Sequence, residues 1–196
     1  MPRNELDQCL NQLMKDGLLL KADPELPSIA GIVAGEQVRG SWWSHPAGRM
    51  IFRIIEEISD RPDVVMAKLI GGKDTFVQKR LWPFLIAVST AREPWQLNGL
   101  TTSAKTLFKK TKQLGTMKAG GTDAKLLETK LLVRSEQYHT ESGRHEKLLE
   151  SWEHWAQATG VQLDGLPSVD DAKDGLERIY PNANWPWNIR GTQNRK

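Results

Sequence analysis

Three small groupings in this chain have residue types and spacings that could support chemistry. Asp63 follows Pro62 at the opening of an expected hairpin. Metal-dependent nucleases hold Mg²⁺ at such a position, together with an acid-x-Lys pair on the returning strand. Here the return reads Val77-Gln78-Lys79. An amide cannot supply the missing charge, so a cation would need Glu56 or Glu57 from the preceding helix. His139, Glu141 and His145 include the His-x-Glu spacing of zinc deaminases, but Cys9 is the single cysteine and the paired thiolates of those sites are absent. The histidines read instead as hydrogen-bonding caps or phosphate contacts, with no metal and no cofactor implied. Ser41 or Ser44 beside His45 lacks the Gly-x-Ser-x-Gly elbow that presents a nucleophile. An excision or strand-cutting enzyme would take its acids from Glu56, Asp63, Glu136 and Glu141.

The charge distribution is more informative. Residues 61–134 hold fourteen Lys or Arg against five Asp or Glu, and residues 135–180 hold four against ten, although the whole chain carries a net charge of only +3. A basic stretch of this density attracts phosphate-bearing partners by Coulomb attraction and counterion release. Lys105, Lys109 and Lys112 recur at helical spacing opposite Leu107 and Leu114, and Lys125, Lys130 and Arg134 continue the row on an expected next helix. Lys68, Lys73, Lys79 and Arg80 would add a second strip on the hairpin, and His139, Arg144 and His145 lie in a further polar turn. Together these residues predict a DNA-binding surface working mainly through phosphate contacts. The acidic segment offers a second possibility, a protein partner or a cover over the basic strip. Glu146, Glu150 and Glu153 would share one helical face beside Leu148, Leu149, Trp152 and Trp155, with Asp164, Asp170, Asp171, Asp174 and Glu177 following.

Eight of the fourteen aromatic residues are tryptophan. Trp152 and Trp155 read as core, Trp82 and Trp95 as anchors beside prolines, and Trp185 and Trp187 as the attachment of a basic tail, 188–196. Trp42 and Trp43 differ, because neighbours in an extended segment point to opposite sides and one of them would be left to stack on a base or ligand, near His45.

The elements that must position these residues follow from periodicity. Leu6, Leu10, Leu13, Met14 and Leu18 form a helical face running into Asp16-Gly17 and the strand-like Leu18 to Leu20. Leu107, Phe108, Thr111 and Leu114 repeat this helix-Gly-strand order, with Gly115 ending the helix before Thr116 to Lys118. Pro46 opens a helix capped by Ser44 or His45, with Met50, Ile51, Ile54, Ile55 and Ile58 as its apolar stripe. Residues 63–70 and 75–80 then form a hairpin about Gly71-Gly72, followed by a helix over residues 81–90. The resulting fold class is α+β, helices with short antiparallel hairpins in one compact body. Its segments are a helix-Gly-strand unit over 1–40, a helix-hairpin-helix unit over 41–99, a basic winged-helix-like unit over 100–160 and a partly flexible C-terminal extension over 161–196.

Arg39-Gly40-Ser41-Trp42-Trp43-Ser44-His45-Pro46, with Lys79 to Pro83 and His139 to His145, resembles an uncharacterised bacterial family carrying a GSWWxHP block, from which no activity follows. The two helix-Gly-strand units and the basic helix resemble, more distantly, winged-helix DNA-binding proteins. The charged opening of the chain, the short apolar runs and the lone cysteine predict a cytoplasmic protein without a membrane span or an internal disulfide.

Overall fold

The computed structural model describes residues 2–139 and 145–188; the side chains of residues 2, 3, 137–139, 145 and 146 are outside that description. The fold is α+β, as expected, with two three-stranded antiparallel sheets. The chain divides into two compact units, Met1–Trp82 and Pro83–Lys196.

In the first unit the order is α1 (Pro2–Asp16), β1 (Leu18–Leu20), α2 (Ile29–Ala34), a 3-10 turn (Trp42–Ser44), α3 (Gly48–Ser59), β2 (Val64–Lys68) and β3 (Asp74–Gln78). The sheet runs β1-β3-β2. α1 ends where Gly17 donates its N–H to Leu13 O at 2.7 Å, and the chain enters β1 directly. Leu18 then faces Val77, and Val65 faces Val77 from the other side. β1 is buried along its whole length, so its three leucines have no solvent face, and Leu19 joins the helices in the core. Cys9 and Leu13 of α1, Ile29 and Ala30 of α2 and Ile51, Ile54, Ile55 and Ile58 of α3 meet Phe76 in one apolar core. The expected stripe of α3 is thus correct, except that the helix begins at Gly48 with Ala47 as its cap, two residues past Pro46. Met14, expected on the buried face of α1, is exposed.

In the second unit α4 (Trp82–Thr90, its first residue belonging to the first unit) leads to α5 (Pro94–Leu97), α6 (Thr102–Leu114), β4 (Thr116–Lys118), α7 (Gly121–Thr129), β5 (Val133–His139), β6 (His145–Ser151), α8 (Trp152–Thr159) and α9 (Val169–Glu177). This sheet runs β4-β6-β5. Gly115 ends α6 at φ 78°, a backbone state that L side chains seldom adopt, so the helix-Gly-strand reading holds here also. Ala104, Ala124, Leu127, Leu132, Val133 and Leu149 form the core. Three expectations fail in this unit. Leu148, Leu149, Glu146 and Glu150 lie on β6, because pairing with strands on both flanks wins over their helix-like spacing, and only Glu153 and the buried Trp152 and Trp155 are helical. Arg134 lies on β5, because α7 stops at Thr129 with Lys130 as its cap. Leu114 is exposed at the end of α6, which turns its apolar side inward through Ala104 and Thr111 instead.

Among the described residues no helix is long and apolar enough to cross a membrane.

Candidate nucleic-acid interface

The face of α3 opposite its isoleucine stripe exposes Arg49, Arg53, Glu56 and Glu57, with Phe52 half-buried among them. Positions 49, 52, 53 and 56 share one side of a helix, so Arg49, Phe52 and Arg53 lie on a common face. Glu57 approaches Arg53 at 3.8 Å, one turn along. Exposed pairs of this kind are worth well under ~1 kcal/mol, which leaves the guanidinium free to exchange partners.

An aromatic stack adjoins that face. Trp42 and Trp43 do not alternate as in an extended strand; they sit in a 3-10 turn with their rings stacked at 4.3 Å. The Trp43 ring is also 5.2 Å from Phe52. Trp42 is buried, whereas Trp43 is 63% exposed, so one tryptophan of the pair is left outside, as the sequence suggested, by stacking rather than by alternation. Gly48 makes the approach possible, since a Cβ there would come to 3.0 Å from Trp43 O and 3.2 Å from Trp42 O.

His45 locks the turn. Its Nδ1 accepts the Ala47 N–H at 3.1 Å, and its Nε2 lies 3.1 Å from Glu36 Oε1. With Nδ1 accepting, Nε2 carries the proton and donates to the carboxylate. Ser44 Oγ donates to Ser41 O at 2.9 Å. Ser44 Oγ and both ring nitrogens of His45 are thus bound to other groups, so the Ser44-His45 pairing considered from the sequence is not formed. Arg39 and Lys73 both line a cleft of about 610 Å³ that also takes in Asp23, Val38 and Gly40.

The hairpin cations serve mostly as braces. Lys68 pairs with Asp74 at 2.7 Å, Lys73 with Asp23, and Arg80 donates to Lys15 O at 2.8 Å as well as to Met14 O. Lys79 and Arg80 stand in a 3-10 turn after β3 rather than on it, with Lys79 Nζ 5.7 Å from the Trp82 ring centre. Asp63 is gripped by Arg61 through Nε at 2.9 Å and Nη2 at 3.0 Å. That guanidinium holds its carboxyl below the usual carboxylate range. Both oxygens are thus engaged, and among the described residues no cluster of three possible metal ligands occurs. Glu56 is exposed on α3, whereas Glu136 belongs to the second unit, where it lies 3.4 Å from Arg134.

In the second unit the basic row is shorter than its sequence. Lys105, Lys109 and Lys125 are exposed, and among the described residues they form no ion pair. Lys112 approaches Glu153 at 3.1 Å, Lys130 Nζ donates to Trp95 O at 2.6 Å, and Arg134 pairs with the buried Glu150. The acidic helical face is likewise dissolved. Glu150 also holds His154 Nδ1 at 2.7 Å, and Glu153 meets Arg92. Desolvation opposes ionisation of Glu153, but its backbone hydrogen bond and the charges of Arg92 and Lys112 outweigh it and hold the carboxyl down. His139 and His145 are register partners of β5 and β6, and their side chains, with all of Glu141 and Arg144, lie outside the described residues. Trp185 is buried and donates to Tyr180 O at 3.1 Å, while residues 189–196 of the basic tail are not described.

Arg39, Arg49 and Arg53 were not singled out by sequence. The signal was present for the last two, which occupy polar positions of α3, Arg49 just before its apolar stripe and Arg53 between Ile51 and Ile54. No protein-family model, curated protein or solved structure matches this chain.

Proposed function

We propose that the protein binds duplex DNA and that its first unit is a winged-helix module whose α3 enters the groove. The observation that carries this reading is connectivity. The order α1, β1, α2, α3, β2, β3 with the sheet arranged β1-β3-β2 resembles that of winged-helix modules, and on this reading α3 lies in the groove and the closing β2-β3 hairpin is the wing. The side chains accord with that role. Arg49 and Arg53 project from the outer face of α3 as phosphate or base-edge donors, and Arg39 and Lys73 stand on one cleft near the wing turn. Lys105, Lys109 and Lys125 of the second unit supply further phosphate contacts, and a cytoplasmic location belongs to the same proposal.

The test is binding of the full chain to a duplex of roughly two helical turns across a salt series. Log affinity should fall linearly with log salt, at a slope of about −0.9 per phosphate neutralised. The double variant Arg49→Glu/Arg53→Glu should lose most binding without loss of fold, because both positions are exposed. A triple variant Lys105→Glu/Lys109→Glu/Lys125→Glu should reduce the salt slope. Absence of binding at low salt would remove the proposal.

A further inference from the structure

Trp43 is a large apolar ring left mostly in water although one side of it is already covered. Its neighbours Trp42, at 4.3 Å and 23° between planes, and Phe52, at 5.2 Å, fix its position. Trp42 is itself held from beneath by the core, and Lys21 Nζ lies 6.0 Å from its ring centre. The turn that carries both rings is pinned by His45 and by the close approach to Gly48. An indole in this setting is an ordered flat surface that loses little freedom when another flat ring is placed on it. Among the described residues Arg39 and Arg49 form no ion pair, whereas of the nearby acids Glu36 is bound by His45 and Glu57 by Arg53 and Glu56 is left exposed, so the balance beside the platform is positive and the occupant should be flat and should carry anions.

We infer that Trp43 is a stacking platform for an unpaired nucleobase, so that the protein favours DNA containing an unpaired or single-stranded stretch over a fully matched duplex. A matched duplex offers base edges and phosphates but no free base face, whereas a bulge, gap or single strand offers both the face and the phosphates. The inference deepens the DNA-binding reading and rests on it for the choice of nucleic acid as the occupant. Charge complementarity favours that occupant over a second copy of this chain or an apolar protein segment.

The experiment compares affinities of the full chain for three fluorescent probes: a matched duplex, the same duplex with a three-nucleotide unpaired bulge, and the single strand alone. Wild type should prefer the bulged probe. Trp43→Ala should lower affinity for the bulged and single-stranded probes by roughly 5- to 100-fold and leave the matched duplex nearly unchanged. Trp43→Phe should restore most of the preference, and the melting temperature of each variant should stay near that of wild type. Equal loss on all three probes, or no loss on any, would overturn the platform while leaving duplex binding standing. Failure of the wild type to bind any probe would overturn both. Loss of a dimer in Trp43→Ala, seen by light scattering, would assign the ring to a second copy of the chain and overturn the inference as well.

Discussion

Lys147 closes on Glu128 through both carboxylate oxygens, at 3.0 and 2.9 Å, and the same Glu128 also accepts from Ser135 Oγ. Glu128 is 4% exposed, so this is a charge of α7 carried into the unit's interior and neutralised by the sheet. The arrangement ties a helix to the β5-β6 hairpin by a directional contact where apolar packing alone would permit sliding.

Removing one member of that pair should cost more than removing both. Lys147→Met leaves a buried carboxylate without its counter-ion, and about 3–5 kcal/mol of stability should be lost in a urea titration at neutral pH. Glu128→Leu combined with Lys147→Met should recover most of it.

Replacement of Gly115 by Ala should destabilise the second unit by about 1–3 kcal/mol. The residue sits at φ 78°, and an added Cβ would overlap the His154 ring, which is itself held by Glu150. Thermal unfolding measures the loss. Gly35→Ala, also at positive φ but with open space around its Cβ, separates backbone strain from overlap and should cost less.

Asp74 makes the first unit sensitive to acid. Its burial opposes ionisation, but the ammonium groups of Lys68 at 2.7 Å and Lys21 at 3.6 Å outweigh that and hold the carboxyl below its ordinary value. A carboxyl depressed on folding stabilises fully above its unfolded pKa of about 4, and that contribution disappears as pH falls through the folded value. Asp74→Asn should therefore be less stable than wild type at pH 7, with the difference shrinking below about pH 4. Guanidinium titrations at several pH values give the comparison.

Cys9 should resist thiol reagents in the native protein. Burial, with a smaller effect from Glu5, pushes its thiol up to about 12, and the residue is fully buried. Labelling at pH 8 should be slow, should accelerate sharply in denaturant, and should follow the opening of the first unit.

What the sequence disclosed depended on how local each decision was. The α3 stripe, the α1-Gly17-β1 and α6-Gly115-β4 junctions and the β2-β3 hairpin are set by neighbours in the chain, and all were legible. β6 was not, because Leu148, Leu149, Trp152 and Trp155 satisfy a helical spacing, and only pairing of Leu149 with Ser135 and Met117 selects the strand. The basic row misled for a related reason. Lys130 reaches the carbonyl of Trp95 and Arg134 reaches Glu150, and contacts between residues so far apart in the chain leave no periodic trace. The outer face of α3 was legible in principle from Arg49 and Arg53 at polar positions of an amphipathic helix, but two arginines are a weaker charge signal than the lysines of residues 105–130.

The register of β1 sets the order in which the first unit can be assembled. Leu18 finds its place only opposite Val77, so α1 and β1, although made first, have no completed sheet to join until the chain has been extended past β3. A nascent chain halted after α3 would hold an isoleucine stripe and the apolar face of α1 without Phe76 to close them. Closure across so many residues pays its loop entropy before any return, which slows folding and prolongs the time for which those surfaces are open to other chains.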